Sequence, residues 1–527
     1  MSQMAEPQAE FAEYSGATRW IILIAVMMGT LMQVIDSSIV NVAIPQMMGN
    51  LGATMDQIGW VSTGYIIANV IVLPLTGWLS AVFGRKRYLA TSMLIFTAAS
   101  FFCGMSNSLG MLVFFRILQG AGGAALLSTA QATMMEIFPP EQIGMVQAIY
   151  GVGVMVGPTV GPTLGGWITD NYSWPWTFFI NIPVGILAAI LVTMFVHDSK
   201  YKRSTKGGVD IKGIALLAVG LGCMQVVLEK GNREGWFDSS MIVALAAISL
   251  VGIVLFVMWE LHTPHPAVRL RILKNRGFAA GTIFATVLGF GLYGGTFVLP
   301  IFLQDMRGYT AQQTGLILLP GAIATTIMMP ITGRLVSWFS ARGLVAIGAI
   351  CFTSAMFLLT QITMDTGPEQ MFWPLALRGA AMGFLFVPLT LATLMGLRKQ
   401  DMADATGLYN LSRQIGGSIG IAFLSTFLDH STEMHRSVLV EHINMYSATA
   451  MQELNKLQAG FMAAGSSMHT AHMQALQLLD QTVQSQAAIL GFEDVFRLSA
   501  IVFIIAIPLL LLFKKGKAAA RKEGDNS

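Results

Sequence analysis

One carboxylate, Asp36, stands well inside an apolar segment near the start of the 527-residue chain. Thr30, Gln33, Ser37 and Asn41 flank it at helical spacing and form a polar stripe. A charge at the centre of a membrane helix costs about 2.5–3.5 kcal/mol on insertion scales, so a partner or a task must offset it. The chemistry open to such a group is proton binding. Loss of water favours the protonated form, a nearby cation favours the charged one, and a small change of access switches between them. The competing account is a static ion pair that only fixes helix packing. Arg116, on a second apolar segment with Gln119, Gly120 and Gly123 on its face, is the expected partner. Arginine keeps its proton, so Arg116 can tune Asp36 but cannot carry the proton itself.

Arg378 and Arg413 also fall in apolar segments, with no acid beside them. Cavity water, anionic substrates or backbone carbonyls of neighbouring helices are the three ways to satisfy them. Together with Gln33, Asn41, Tyr65, Gln119, Tyr293, Phe297 and Asn410 they make up the expected lining of a substrate cavity. Tyr293 and Phe297 share a helix face. Glu229 and Glu260 sit at segment ends and are weaker candidates for a second proton site.

The elements that must position these groups are membrane helices. The chain is 54% hydrophobic and only 11% charged, against about 25% charged in soluble domains. Fourteen apolar stretches of roughly 20 residues can be read between positions 20 and 513. Cationic residues cluster in alternate loops: Arg85–Arg87, Lys200–Lys206, Arg269–Arg276, Arg342, Arg398–Lys399 and Lys514–Lys522. By the positive-inside rule these loops and both termini are cytoplasmic. The polar residues 1–18 lack a basic leader and are expected to remain as a cytoplasmic segment. The net charge of +3 says nothing for nucleic acid, and none is expected as a partner. Cys103, Cys223 and Cys351, an odd number inside apolar stretches, argue against a disulfide framework.

Gly153, Gly157, Gly161 and Gly165 recur every fourth residue, with Pro158 and Pro162 among them. This predicts a bent membrane helix with a smooth glycine face, along which another backbone can approach closely. An internal repeat is also present. Pro74-Leu-Thr-Gly77-Trp-Leu-Ser-Ala-Val-Phe83 matches Pro330-Ile-Thr-Gly333-Arg-Leu-Val-Ser-Trp-Phe339. Arg116-x-x-x-Gly120 is echoed loosely by Arg378-Gly379 and Gly383. Two related halves imply a transporter with its site at their interface. The expected organisation is a six-helix half over 19–199, an inserted helix pair over 200–276, a second six-helix half over 277–513 and a basic tail over 514–527. Residues 430–492, between the last two spans, hold five of the eight histidines. They are expected to form a hairpin of two amphipathic helices, turned at Gly465-Ser-Ser467. His469 and His472 have helical spacing but lack a further ligand, so a docking surface is favoured over a metal site.

No phosphate-binding GxxxxGK[ST] loop and no nucleophile elbow occur. The chain is therefore not expected to be an enzyme or to carry a cofactor. Energy would come from an ion gradient or from downhill flow.

These motifs resemble the major facilitator superfamily, in particular its fourteen-helix drug:proton antiporters and most closely the EmrB-type subunits. The likeness rests on Ile35-Asp36-Ser-Ser-Ile-Val-Asn41-Val-Ala-Ile-Pro45, Leu112-Val-Phe-Phe-Arg116-Ile-Leu-Gln119-Gly120 and the glycine-proline run. Trp174–Gly185 and Asn410–Gly420 add further family-like stretches. The resemblance implies an all-α major facilitator fold and a proton-coupled multidrug exporter of the bacterial inner membrane. Its substrates would be hydrophobic drugs and toxic compounds, and the three buried arginines suggest that anionic ones are handled too. It implies proton coupling through Asp36 and Arg116, and gating or packing through Gly77, Arg85 and the glycine-proline helix. A periplasmic adaptor and a TolC-type outer-membrane channel are the implied partners, with 430–492 as docking surface. One departure stands out. Ala81 and Val82 occupy positions where the family often has an acid and a base, so that loop's charge relay does not carry over. The alternative is a proton-coupled importer of a small organic solute with the same fold.

Overall fold

The computed structural model describes residues 14–198, 209–444 and 446–512. The basic residues Lys200–Lys206 and Lys514–Lys522, and most of segment 1–18, lie outside them. The described residues form helices and no strands. In order these are α1 (Gly16–Leu51), α2 (Met55–Phe83), α3 (Arg85–Gly104), α4 (Leu109–Ile137) and α5 (Pro140–Asn171). Then come α6 (Trp176–Phe195), α7 (Ile211–Lys230), α8 (Ser240–His262), α9 (Arg276–Met306) and α10 (Ala311–Leu335). Last are α11 (Ala341–Leu359), α12 (Pro368–Leu394), α13 (Met402–Glu441), α14 (Ala448–Ala463) and α15 (Met468–Leu512).

Eleven of these are long and apolar enough to cross a membrane alone, and the two arms of α5 qualify together. Helices α3 and α13 fall short in apolarity, for visible reasons. Helix α3 opens on Arg85-Lys86-Arg87, and α13 carries Asp404, Asn410 and Arg413. Both are packed within the bundle, α3 against α4 and α6, α13 against α9 and α15. The fold is the expected all-α bundle of fourteen membrane rods, α1–α13 and α15. An even number of crossings leaves both ends of the described chain on one face, the terminal face. The opposite face carries α14 and is the hairpin face.

Helix α5 bends by 46° between Pro140–Pro158 and Val160–Asn171, where Pro158 and Pro162 break the hydrogen-bond ladder. Its glycine face packs on α1. A Cβ on Gly153 would stand 2.7 Å from Met27 Cε, one on Gly157 2.5 Å from Val34 Cγ1, and one on Gly165 2.8 Å from Ile39 Cγ1. The glycines therefore serve an approach inside the first half. The contact with the second half uses other positions on α5, where Gly144 meets Gly333 of α10.

That contact gives the internal repeat a structural meaning. At the terminal face the end of α2 reaches α13, where a Cβ on Gly77 would lie 2.7 Å from the Asp404 nitrogen. The equivalent end of α10 reaches α5, where a Cβ on Gly333 would lie 2.6 Å from the Gly144 carbonyl oxygen. Each copy of Pro-x-Thr-Gly thus seals its own half onto the other.

Beyond the membrane, 430–492 is not a separate pair of helices. Helices α13 and α15 run on unbroken as two rods, and the short α14 packs on α15. No Gly or Pro interrupts 421–459 or 466–490, so nothing stops either rod at the membrane surface. Gly465 makes the expected turn with φ +98°, and Ser467 caps α15 through Thr470 N at 3.3 Å. His435 Nε2 and Ser431 Oγ each lie 2.8 Å from Asp494 Oδ2 and tie the stem together. His472 pairs with Gln458 on α14 at 3.2 Å. Among the described residues no group of three His, Cys, Asp or Glu side chains is placed to hold a metal.

The glycine contacts make a direct prediction. Gly161→Val should drive a side chain into Ser38 and Ile39 of α1 and destabilise the fold by about 1–3 kcal/mol. Gly49→Ala, in open space, should be silent. Thermal melting of the purified protein in detergent compares the two, and equal melting temperatures would refute the packing assignment.

Candidate functional site

Asp36 and Arg116 meet. Arg116 Nη1 donates to Asp36 Oδ2 at 2.6 Å, with the residues 1% and 0% exposed. Residues of α2, α3, α4 and α6 supply the rest of the shell. The second oxygen of Asp36 accepts from Gln119 Nε2 of α4 at 2.8 Å and from Asn181 Nδ2 of α6 at 2.7 Å. Both amides also donate to Ser100 Oγ of α3, at 2.8 and 2.9 Å. Arg116 further donates to Gln119 Oε1 at 2.7 Å and, through Nε, to the Val61 carbonyl of α2 at 3.1 Å. Its guanidinium lies 4.1 Å from the centre of the Tyr65 ring and 5.7 Å from that of Phe178. Two buried opposite charges are thus held by short hydrogen bonds and aromatic faces. Gly120 permits the close crossing, because a Cβ there would run into the Tyr65 backbone.

Above this cluster a cavity of about 640 Å³ lies between the halves, among residues near the hairpin face. Asn41 of α1, Tyr65 of α2, Arg116 of α4 and Phe297 of α9 line it, as do Ser418 of α13 and Arg233 beyond α7. Of the residues expected in a cavity, Asn41, Tyr65 and Phe297 do border this one. Asn41 accepts from Ser62 Oγ at 3.0 Å. Gln119 lies beneath, on the ion pair. Gln33 is buried on α1, and its side chain lies against Gly123 of α4. Tyr293 packs on Gly417, within a π-helical turn of α9. Arg378 donates to the Gly295 carbonyl at 3.0 Å, the backbone option among the three open to it.

Asn410 and Arg413 belong to a second polar group, sealed in the seam toward the terminal face. Asn410 Nδ2 donates across the halves to Gln131 Oε1 of α4 at 2.8 Å, and Gln131 donates on to Gln147 of α5 at 3.3 Å. Arg413 is 1% exposed, lies 5.2 Å from the Phe386 ring centre, and has no hydrogen-bond partner at Nη1. Asn410 Oδ1 and Gln147 Nε2 are also buried and unpaired.

At the terminal face Arg85 is paired with Glu136 inside the first half. Charge at the seam comes from α13, not from positions 81 and 82. Arg269 binds Asp401 at 3.0 Å and stands 3.8 Å from Asp404. Sequence reasoning missed Ser100, Gln131, Gln147, Asp401 and Asp404 as participants. It placed Asn181 in a motif without giving it a task. Glutamines inside apolar helices were the available signal for two of them.

The sequence model described as Major Facilitator Superfamily matches residues 26–421. The chain belongs to that superfamily. Within it the chain is EmrB-type. It is 35% identical over 503 residues to the multidrug export protein EmrB of Escherichia coli (strain K12), covering 95% of this chain and 96% of that one. It is 33% identical over 499 residues to the fatty acid resistance protein FarB of Neisseria gonorrhoeae, covering 94% and 96%. Among solved structures, the major facilitator proton:xylose symporter XylE superposes with a TM-score of 0.61 at 12% identity, over 95% of this chain and 96% of that one. That likeness concerns the fold alone. As an EmrB-type member the chain is a multi-pass inner-membrane transporter, not an enzyme.

The cluster predicts unequal costs. Arg116→Gln strands a buried carboxylate and should cost about 3–5 kcal/mol. Adding Asp36→Asn removes the stranded charge and should recover part of that loss. Melting curves of the single and double variants decide it, and strictly additive losses would show the two groups to be energetically independent.

Proposed function

We propose that this protein exports hydrophobic, structurally varied toxic compounds in exchange for protons, with Asp36 as the coupling carboxylate. The observation that carries the reading is the Asp36–Arg116 pair buried at the floor of a cavity that borders the hairpin face. Where the cationic loops mark the cytoplasm, that face is periplasmic and the structure is outward-open. A proton entering from the cavity neutralises Asp36 and leaves Arg116 without its counter-ion, so the five-helix shell loses the contact that holds it. That loss favours closure on the outside. Deprotonation toward the cytoplasm re-forms the pair and resets the cycle. The proton gradient then supplies the energy, and no cofactor is required. The export direction is supported by the relatives, which are named for multidrug export and fatty acid resistance.

Substrate character follows from the remaining charges. The unpaired Nη1 of Arg413 in the seam supports handling of neutral and anionic compounds at least as well as cations. The extended stem of α13 and α15, with α14 against it, is a rigid surface standing clear of the membrane. Under this reading it docks a periplasmic adaptor that leads to a TolC-type channel. Both termini are cytoplasmic.

Asp36→Asn should fold and insert, bind substrate, and lose uncoupler-sensitive efflux by tenfold or more. Dye efflux from loaded cells with and without an uncoupler measures this. Wild-type efflux from the variant would remove Asp36 from the coupling step, and uncoupler-sensitive uptake by the wild type would instead favour an importer. Separately, deleting 440–485 should abolish adaptor pull-down. Retained pull-down would place the docking surface elsewhere.

A further inference from the structure

The inserted pair α7–α8 ends at the hairpin face in a tight, specifically built turn. Gly235 has φ +72° and Trp236 φ +52°, the one non-glycine residue in left-handed backbone among the described residues. A bulky residue persists there only where its surroundings over-determine it. Here Trp236 N donates to the Gly231 carbonyl at 2.8 Å, and the indole lies over Gly231, where a Cβ would stand 2.6 Å from the ring. The result is a preformed hook.

The hook joins both halves. Helix α7 packs along α2 of the first half, with Gly222 facing Ile67 and Ile71. At its end Lys230 Nζ sits 4.4 Å from the centre of the Trp60 ring of α2. On the other side Asn232 Nδ2 donates to Asp429 Oδ2 of α13 at 2.7 Å, and Trp236 Nε1 donates to Thr426 Oγ1 of α13 at 2.9 Å. Between these anchors Glu229, Arg233 and Glu234 line the cavity.

We propose that residues 230–236 are a strap across the cavity mouth, latching α2 to α13 while the mouth is open and releasing α13 when it closes. Closing the mouth requires the hairpin-face ends of α2 and α13 to approach, and the strap occupies the gap between them. Helices in such transitions move as rigid bodies. Helix α7 packs more extensively on α2 than on α13, so its contacts with α13, the two hydrogen bonds among them, are the ones that must break. The inserted pair thereby biases the state of the transporter from outside the two six-helix halves. The inference rests on the chain being a two-state transporter and not on what it transports or in which direction.

The test uses the full-length protein in lipid nanodiscs, with spectroscopic labels introduced as noncanonical amino acids at the exposed positions Gln57 and His430. Removing both bonds with Asn232→Ala and Trp236→Phe should shift the label distances from long toward short. The expected fall in the open-to-closed ratio is roughly fivefold to a hundredfold, from two bonds of ordinary strength. Unchanged distances would overturn the proposal. Conversely, Asn232→Cys with Asp429→Cys, bridged by a short cleavable thiol cross-linker, should hold the long distance under all conditions. Each single variant treated alike should still interconvert. Interconversion in the bridged protein would likewise overturn it. Neither readout involves drug efflux, so failure of the export reading leaves this result standing.

Discussion

The ion pair between Asp36 and Arg116 is the contact on which the first half is organised. Two unit charges removed from water carry a desolvation cost of several kcal/mol each, which only close pairing and complete hydrogen bonding offset. The structure meets that demand by drawing on α1, α2, α3, α4 and α6 at once. Asp36 has three donors, Arg116 has three acceptors, and Tyr65 and Phe178 cover the guanidinium. A neutral core would pack these helices without such precision. The pair makes their relative placement depend on one buried contact.

The second half is built differently. Its buried arginines have no carboxylate opposite. Arg378 is satisfied by a carbonyl, and Arg413 is left with one nitrogen unpaired in the closed seam. The repeat symmetry of the chain therefore extends to its seals and not to its charges. The two Pro-x-Thr-Gly ends close the terminal face by the same close approach, one against Asp404 and the other against Gly144. The acids at that seam, Asp401 and Asp404, stand at the start of α13, beside Arg269 from the segment that follows the inserted pair. The buried ion pair thus belongs to the first half alone, while the closing surfaces are shared.

Much of this was legible beforehand, for identifiable reasons. Charges inside apolar segments are costly and rare, so Asp36 and Arg116 announced each other. Fourteen apolar stretches and the cationic loops carried the fold. Partners of neutral residues were harder to see. The four-residue glycine spacing showed that α5 has a smooth face, but periodicity does not say which helix lies on it. It proved to be α1, within one half. Asn181 and Ser100 are ordinary residues for membrane helices, and only their convergence on Asp36 gives them meaning. The polar composition of 430–492 does not show that the flanking membrane helices continue into it as two rods. Helices stop at breakers and caps, and α13 reaches its cap only at His442.

The placement of the glycine face and of the ion pair on the same helix has a mechanical consequence. Helix α1 is pressed from one side by α5, through contacts at Met27, Val34 and Ile39 that leave no room for a Cβ. From another side it is held by Arg116 and Asn181 through Asp36, between Val34 and Ile39 in sequence. Close-packed surfaces of this kind transmit displacement instead of absorbing it. Helix α5 is bent at Pro158 and also touches α10 of the second half, so any change in its bend on closure must move α1. Asp36 therefore lies on a rod held on one side by the ion-pair cluster and on another by the helix that reaches the second half. The buried pair and the seam between the halves are thus linked through α1 and α5.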